Sequence, residues 1–164
     1  GWLEGQRPSG SDYGYQDFYS RVGLVVMGYN TYRQVKEELS PGAWPYDGVP
    51  CLVCTHRPLQ DPGVETVSGP PEQWLPAWKE RVQGDVWICG GASLAGQLME
   101  QGLIDEYALT VCPVLLGEGA PLFGPGRPTA LLDLTECRTE NGMVLLRYVP
   151  RRTDGMEPAP QGAQ

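Results

Sequence analysis

Short apolar runs alternate with amphipathic stretches through the first two thirds of the chain, and after that the amphipathic stretches stop. Val22 to Met27 (VGLVVM) is a continuous apolar run of strand length ended by Gly28, as expected of a strand buried on both faces. Thr31 to Leu39 (TYRQVKEEL) mixes apolar and charged positions as a helix does, and Ser40-Pro41-Gly42 closes it. Cys51 to Thr55 reads as a second buried strand, and Val64 to Val67 as a further one. Between Pro71 and Val82, Leu75, Trp78 and Val82 fall one, four and eight residues after Trp74, which places all four on one helical face. Val86 to Cys89 returns to strand and runs into Gly90-Gly91. Ser93 to Gln101 then reads as a helix with Gly102 at its C-terminal cap. From there Glu106 to Val114, Leu131 to Cys137 and Met143 to Val149 follow one another as strands with no clear helix between them.

Strands separated by helices pair in parallel, and strands joined directly pair antiparallel. The pattern therefore predicts an α/β fold with a mixed central sheet, mainly parallel, with antiparallel C-terminal strands and flanking helices. Residues 1–21 contain no strand, although Tyr15 to Tyr19 fits a short helix, and an α/β chain ordinarily opens with a strand. The reading is one domain over 1–150 and a flexible tail over 151–164, whose sequence has no periodicity.

Composition narrows the partners more than the fold. The chain has 164 residues, enough for one ordinary domain, and its 22 glycines and 16 prolines call for many turns. A net charge of −8 with no compensating basic run disfavours nucleic acid and anionic membrane surfaces. A single phosphate is still within reach of one arginine or one helix N-terminus. No apolar stretch approaches the roughly 20 residues of a membrane span, and Gly1-Trp2-Leu3-Glu4-Gly5 shows neither the basic start nor the apolar run of a secretory signal. Five cysteines, an odd number set mostly in apolar segments, suit reduced thiols and a cytoplasmic location.

The sharpest local signal is VWICGGASLAGQL, Val86 to Leu98. A buried strand meets two glycines and a helix begins at once, so the backbone can approach a ligand and the amides of Ala92, Ser93 and Leu94 face outward. This is either a phosphate seat or a tight turn without ligand. LVVMGYNTYRQV, Leu24 to Val35, is a second such junction, with Gly28 ending the strand and Thr31 placed to cap the helix. Thr55-His56-Arg57 follows the CLVC strand, where Arg57 and Thr55 suit a phosphate monoester and His56 suits a solvated loop position equally well. Cys51-x-x-Cys54 does not read as a metal site, because residues three apart on a strand face opposite sides and no second pair exists. There is no G-x-S-x-G nucleophile motif. Asp12 and Asp17 flank the aromatic cluster Tyr13, Tyr15, Phe18 and Tyr19, which suits either a proton donor of raised pKa or a helix cap.

CGGASLAGQLMEQGLIDEYALTVCPVLLGEGAPLF, Cys89 to Phe123, together with FYSRVGLVVMGYNTY, Phe18 to Tyr32, resembles the dihydrofolate reductase-like superfamily. Within it the resemblance is to the RibD C-terminal domain, the reductase domain of the bifunctional riboflavin-biosynthesis deaminase-reductase, and to its stand-alone relatives. It covers most of residues 1–150. It implies a dihydrofolate reductase-like three-layer fold with an eight-stranded mixed sheet that binds NADPH across its carboxyl edge. Carried over by motif, Gly90, Gly91, Ala92, Ser93 and Leu94 would meet the pyrophosphate. Gly28 and Thr31 take the G and T of the family's G-R-x-T-[YW] motif. Thr55, His56 and Arg57 sit where relatives hold the adenosine 2′-phosphate, and Leu116 and Gly117 would line the substrate and nicotinamide side.

Two departures bear on function. Tyr29 stands where the family motif has arginine, which leaves Arg57 as the substitute cation and puts NADPH over NADH in question. Gly1-Trp2-Leu3-Glu4-Gly5 resembles the end of a loop that in the family follows a first strand, so one strand is expected upstream. The implied reaction is hydride transfer from nicotinamide to a C=N or C=O carbon of a pteridine- or pyrimidine-like substrate, as in dihydrofolate or aminouracil reduction. Proton delivery would come from Asp12, Asp17 or water. The alternative is a cofactor-binding module without turnover. No deaminase zinc motif is present in this chain. The resemblance also implies a homodimer through the β-rich end, where the apolar VCPVLLG segment suits that contact and core burial equally well.

Overall fold

Val22–Gly28 is apolar at nearly every position because it is covered from both sides, and the rest of the first unit is arranged around it. The computed structural model describes residues 11–124 and 129–151. The opening Gly1 to Gly5 segment and the tail beyond Arg151 lie outside the described residues. In chain order the elements are α1 (Tyr15–Tyr19), β1 (Val22–Gly28), α2 (Tyr29–Gln34, continued as a π-helical turn over Val35–Leu39), β2 (Cys51–Cys54), β3 (Glu65–Val67) and α3 (Pro71–Arg81). They are followed by β4 (Asp85–Gly90), α4 (Ala92–Glu100), β5 (Tyr107–Val111), β6 (Leu132–Glu140) and β7 (Met143–Pro150). The described residues divide into two compact units, 11–103 with 114–124, and 104–113 with 129–151.

The first unit holds a parallel sheet in the order β3-β2-β1-β4. Leu24, Val25, Val26 and Met27 of β1 and Leu52 and Val53 of β2 are all 0% exposed. On one face Val25, Met27, Cys51 and Val53 pack in a cluster with Tyr32 and Val35 of α2 and with Tyr46. Side chains alternate along a strand, so Leu24, Val26 and Leu52 point to the other face, where α4 contacts β1 and β4 and packs on α3. Each fully buried aliphatic side chain contributes about 1.5–3 kcal/mol of transfer free energy. The result is a three-layer arrangement, with helices on both faces of a parallel sheet.

The register of β1 against β4 shifts twice. Val22 pairs with Asp85 and Leu24 with Val86, so Gly23 is an extra residue on β1; Val26 pairs with Ile88 and Met27 with Gly90, so Cys89 is an extra residue on β4. At the first shift a Cβ on Gly23 would lie 1.9 Å from the Gln83 carbonyl oxygen, so the two backbones meet where a side chain has no room.

The second unit is antiparallel, in the order β5-β7-β6. β6 and β7 are joined by Asn141-Gly142, at φ 49° and 80°, between the paired residues Glu140 and Met143. Positive φ at both central positions is the two-residue hairpin geometry that matches strand twist, and Asn-Gly is its preferred sequence. Arg147 of β7 pairs with Glu106 and, at 3.0 Å, with Glu136.

The parallel-then-antiparallel order is the one the sequence predicts, with three local differences. α2 begins at Tyr29, because Gly28 in extended conformation (φ −76°, ψ 160°) is its N-cap; Thr31 is therefore in the first turn and is not the cap. β5 ends at Val111 rather than running to Val114, since Pro113 has no N–H to extend the ladder. β6 reaches Glu140 rather than Cys137, as far as the Asn-Gly turn allows.

Candidate functional site

The carboxyl ends of β2, β1 and β4 lie side by side. Gly28 is in register with Cys54 on one side, and its neighbour Met27 with Gly90 on the other. The chain leaves β1 toward β2 and leaves β4 into α4, so the crevice between β1 and β4 is a topological switch point, where open α/β sheets bind ligands.

Both glycine junctions predicted from the sequence meet in that crevice. A Cβ on Gly28 would lie 3.8 Å from the Gly91 nitrogen, and one on Gly90 or Gly91 would lie 3.4 Å from Thr31 Oγ1. Thr31, displaced from the capping role, instead packs its side chain over the glycine pair. Gly90 has φ 141°, a conformation that side chains avoid, and the Gly90–Gly91 peptide is cis. Neither Gly28 nor Gly91 provides a side-chain cap to the helix it precedes. An α-helix leaves its first amides without intrahelical partners, and here these are Tyr29, Asn30 and Thr31 of α2 and Ala92, Ser93 and Leu94 of α4. In α4 the first backbone bond back to the cap is from Ala95 to Gly91. Leu94 is 6% exposed and anchors the helix, while Ser93 is exposed and its carbonyl accepts from Gln97 Nε2 at 3.3 Å.

The Thr55-His56-Arg57 segment leaves β2 next to this crevice. The Thr55 amide donates to the Val67 carbonyl at 2.9 Å, and the Arg57 amide donates to Thr55 Oγ1 at 3.0 Å, a tight turn with His56 exposed at its crest. The Arg57 guanidinium lies 4.8 Å from the centroid of the Tyr29 ring and, among the described residues, has no carboxylate partner. Tyr29, read from the sequence only as the loss of a motif arginine, thus supplies the platform on which Arg57 rests. No local signal marks that pairing, because it follows from β1 and β2 being neighbours.

Two other groups were not anticipated. Tyr32 Oη donates to Asp61 Oδ2 at 2.6 Å, and Lys36 Nζ donates to Tyr32 Oη at 3.2 Å and pairs with Asp61. Lys36 and Tyr32 hold the Asp61 carboxyl down to about 2. The i, i+4 spacing of Tyr32 and Lys36 on a predicted helix was the available clue. On the same face as α2, Tyr46 Oη lies 3.4 Å from Cys89 Sγ, and burial raises the pKa of both groups. Tyr15, Phe18 and Tyr19 of α1 meet the ring of Trp87, which continues through Tyr46, Trp44 and Tyr32 to Tyr29 of α2.

The remaining candidates are placed differently. Asp12 precedes α1, and its carboxylate accepts the Gly14 and Gln16 amides, each at 3.0 Å. Asp17 is exposed on α1, where its carbonyl accepts from Ser20 Oγ. Leu116, 54% exposed, and Gly117 lie in the loop after β5, and the contacts that gather the glycine junctions do not include them. Among the described residues no group of His, Cys, Asp and Glu is placed to hold a metal, and no helix is long and apolar enough to cross a membrane.

Known proteins share this sequence pattern and fold. The model of the RibD C-terminal domain family matches residues 25–146. A Bacillus subtilis (strain 168) protein named Uncharacterized protein YwjB is 36% identical over 150 residues, covering 90% of this chain and 84% of its own. A Shewanella sp. PV-4 protein provisionally named for riboflavin biosynthesis superposes with a TM-score of 0.81 at 25% identity, covering 92% and 87% of the two chains. Dihydrofolate reductase from Enterococcus faecalis, solved with NADP(H), gives 0.64 at 18% identity over 91% and 88%, a likeness of fold. The chain belongs to the RibD C-terminal domain family and shares its fold with dihydrofolate reductase.

Proposed function

We propose that this chain is an NADPH-dependent reductase acting on a pteridine- or pyrimidine-like heterocycle. The observation that carries the reading is the convergence of Gly28, Thr31, Gly90 and Gly91 with two uncapped helix N-termini at one switch point, beside the free Arg57 guanidinium. The NADP(H) complex of the Enterococcus faecalis reductase, on the same fold, supports it.

The residues present fit a dinucleotide. The missing side chain of Gly28 leaves space beside the Gly91 amide, and that of Gly91 leaves space beside Thr31 Oγ1, each of which a Cβ would fill. The amides of Ala92, Ser93 and Leu94 and the positive end of α4 suit a pyrophosphate, and Arg57 with Thr55 suits a terminal phosphate ester. The chemistry a reduced nicotinamide supplies when bound is hydride transfer to the carbon of a C=N or C=O bond, with a proton delivered to the nitrogen or oxygen. The protein's part is to hold cofactor and substrate in register and to exclude water. The aromatic cluster from Tyr15 to Trp87 gives the α2 face of the sheet a surface suited to planar rings. Leu116 and Gly117 belong to the substrate side in this reading, and Asp12, Asp17 or water to proton delivery.

One observation favours a second reading, a cofactor-binding module without turnover: both Asp12 oxygens already accept backbone amides. In either reading the chain is a cytoplasmic protein, in keeping with five free thiols. Pairing of two copies accords with the exposure of Leu115, Leu116, Leu131 and Leu134.

The test is separate titration of NADPH and NADH, followed by quenching of the tryptophans and by thermal shift. Saturable, tighter binding of NADPH supports the reading, and absence of binding by both nucleotides refutes it. Cofactor oxidation with dihydropteridine or aminouracil substrates separates the enzyme from the module.

A further inference from the structure

We infer that Tyr32, Lys36 and Asp61 form a clamp that sets the position of Arg57 and thereby the preference of the site for a 2′-phosphorylated cofactor. The inference rests on the cofactor reading above and extends it to three residues outside the crevice.

Parallel neighbours β1 and β2 end together at Gly28 and Cys54, so α2 and the segment after β2 set out side by side. They are then tied at two points. Near the sheet Arg57 stacks on Tyr29. One helical turn further along α2, Tyr32 and Lys36 hold Asp61. The rings of Tyr29 and Tyr32 are 6.3 Å apart, so both ties sit on one stripe of the helix.

The bonds at the second tie are fully used. Asp61 Oδ2 takes Tyr32 Oη and Lys36 Nζ, and Oδ1 takes the Gly63 amide at 3.0 Å. The Asp61 side chain is 14% exposed and Tyr32 is 8% exposed, so the bond between these two is largely shielded from water, while Lys36 closes the tie from the half-exposed side. Between the ties lie Pro58, with its fixed φ, and Leu59, which packs on the core cluster. An exposed guanidinium held by one ring contact has many rotamers to lose on meeting a phosphate. Fixing the loop four residues away reduces that loss, which is the general advantage of a preorganised site.

A purely structural clamp would weaken every nucleotide alike, whereas a positioning clamp weakens the one bearing the 2′-phosphate. The experiment measures NADPH, NADH and 2′,5′-ADP binding to the wild type and to Asp61→Asn, Tyr32→Phe and the milder, surface-lying Lys36→Met. The expected result is a roughly 3- to 10-fold fall in the NADPH-to-NADH affinity ratio with NADH within about twofold. No further fall should occur when Asp61→Asn is combined with Arg57→Ala, since both act through one group. Equal losses for both nucleotides, or additive effects with Arg57→Ala, overturn the inference while leaving the cofactor reading intact. Amide hydrogen exchange over 56–59 gives a readout independent of nucleotide. It should rise in Asp61→Asn, and an unchanged rate overturns the clamp. A wild type that binds neither nucleotide overturns the cofactor reading and this inference together.

Discussion

Arg57 rests on Tyr29, with its guanidinium carbon 4.8 Å from the ring centroid. Tyr29 thus has a cation set against its ring, brought in from the segment that follows the neighbouring strand. Arg57→Ala should weaken NADPH roughly 10- to 100-fold, the usual worth of a hydrogen bond to a charged group, and leave NADH within about threefold. Tyr29→Leu should produce the same pattern to a smaller degree. Titration of both nucleotides checks this, and equal losses would place the 2′-phosphate elsewhere.

Gly91→Ala separates fold from function. Its Cβ would meet Thr31 Oγ1 at 3.4 Å, an ordinary contact, so the variant should fold with a melting temperature close to wild type. The added methyl would occupy space over the helix N-terminus, and nucleotide binding should fall by at least about tenfold. Gly90→Ala should instead lose stability, because φ 141° suits only glycine.

The Asp61 carboxyl, held to about 2 by Lys36 and Tyr32, gives a pH signature. A carboxylate whose folded pKa is depressed stabilises the fold fully above its unfolded pKa, near 3.8. That contribution is lost as pH falls toward the folded value. Melting temperatures of wild type and Asp61→Asn should therefore differ at pH 6 and converge between about pH 4 and pH 2. A constant difference across that window would mean that the aspartate's charge is not what Lys36 and Tyr32 stabilise.

The thiols should react in order of burial. Cys51 and Cys54 are pushed up to about 11 by burial, so at pH 8 only about one in a thousand of each is thiolate, and Cys51 is also inaccessible. Cys137 is exposed on β6 and should be labelled first by a thiol reagent in the native state. Uniform labelling of all five would show that the first unit opens on the timescale of the reaction.

Much of the crevice was legible in the sequence because its signals are local. An apolar run, a glycine and a helix in immediate succession define each junction, and Val22–Gly28 and Asp85–Gly90 stand within a residue or two of their expected limits. What the sequence could not show depends on which strands are neighbours. Only the order β2-β1-β4 brings Thr31 over Gly90 and Arg57 over Tyr29. Lys36 and Asp61 are 25 residues apart, and neither belongs to a recognisable motif. The capping role assigned to Thr31 failed for a local reason, since Gly28 already lets the helix start directly at the strand end. Asn141-Gly142 was a readable hairpin signal that fixes where β6 ends.

The two register shifts between β1 and β4 bear on which lengths of chain this site tolerates. Gly23 adds a residue to one strand near its start, and Cys89 adds one to the other near its end, so the second offset cancels the first. Each extra residue stands outside the pairing, so deleting Gly23 or Cys89 would close one bulge and leave Met27 opposite Gly90. The strands should thus tolerate loss of a residue at these two points, whereas loss of a paired residue such as Val25 or Ile88 would shift every pair between it and the crevice.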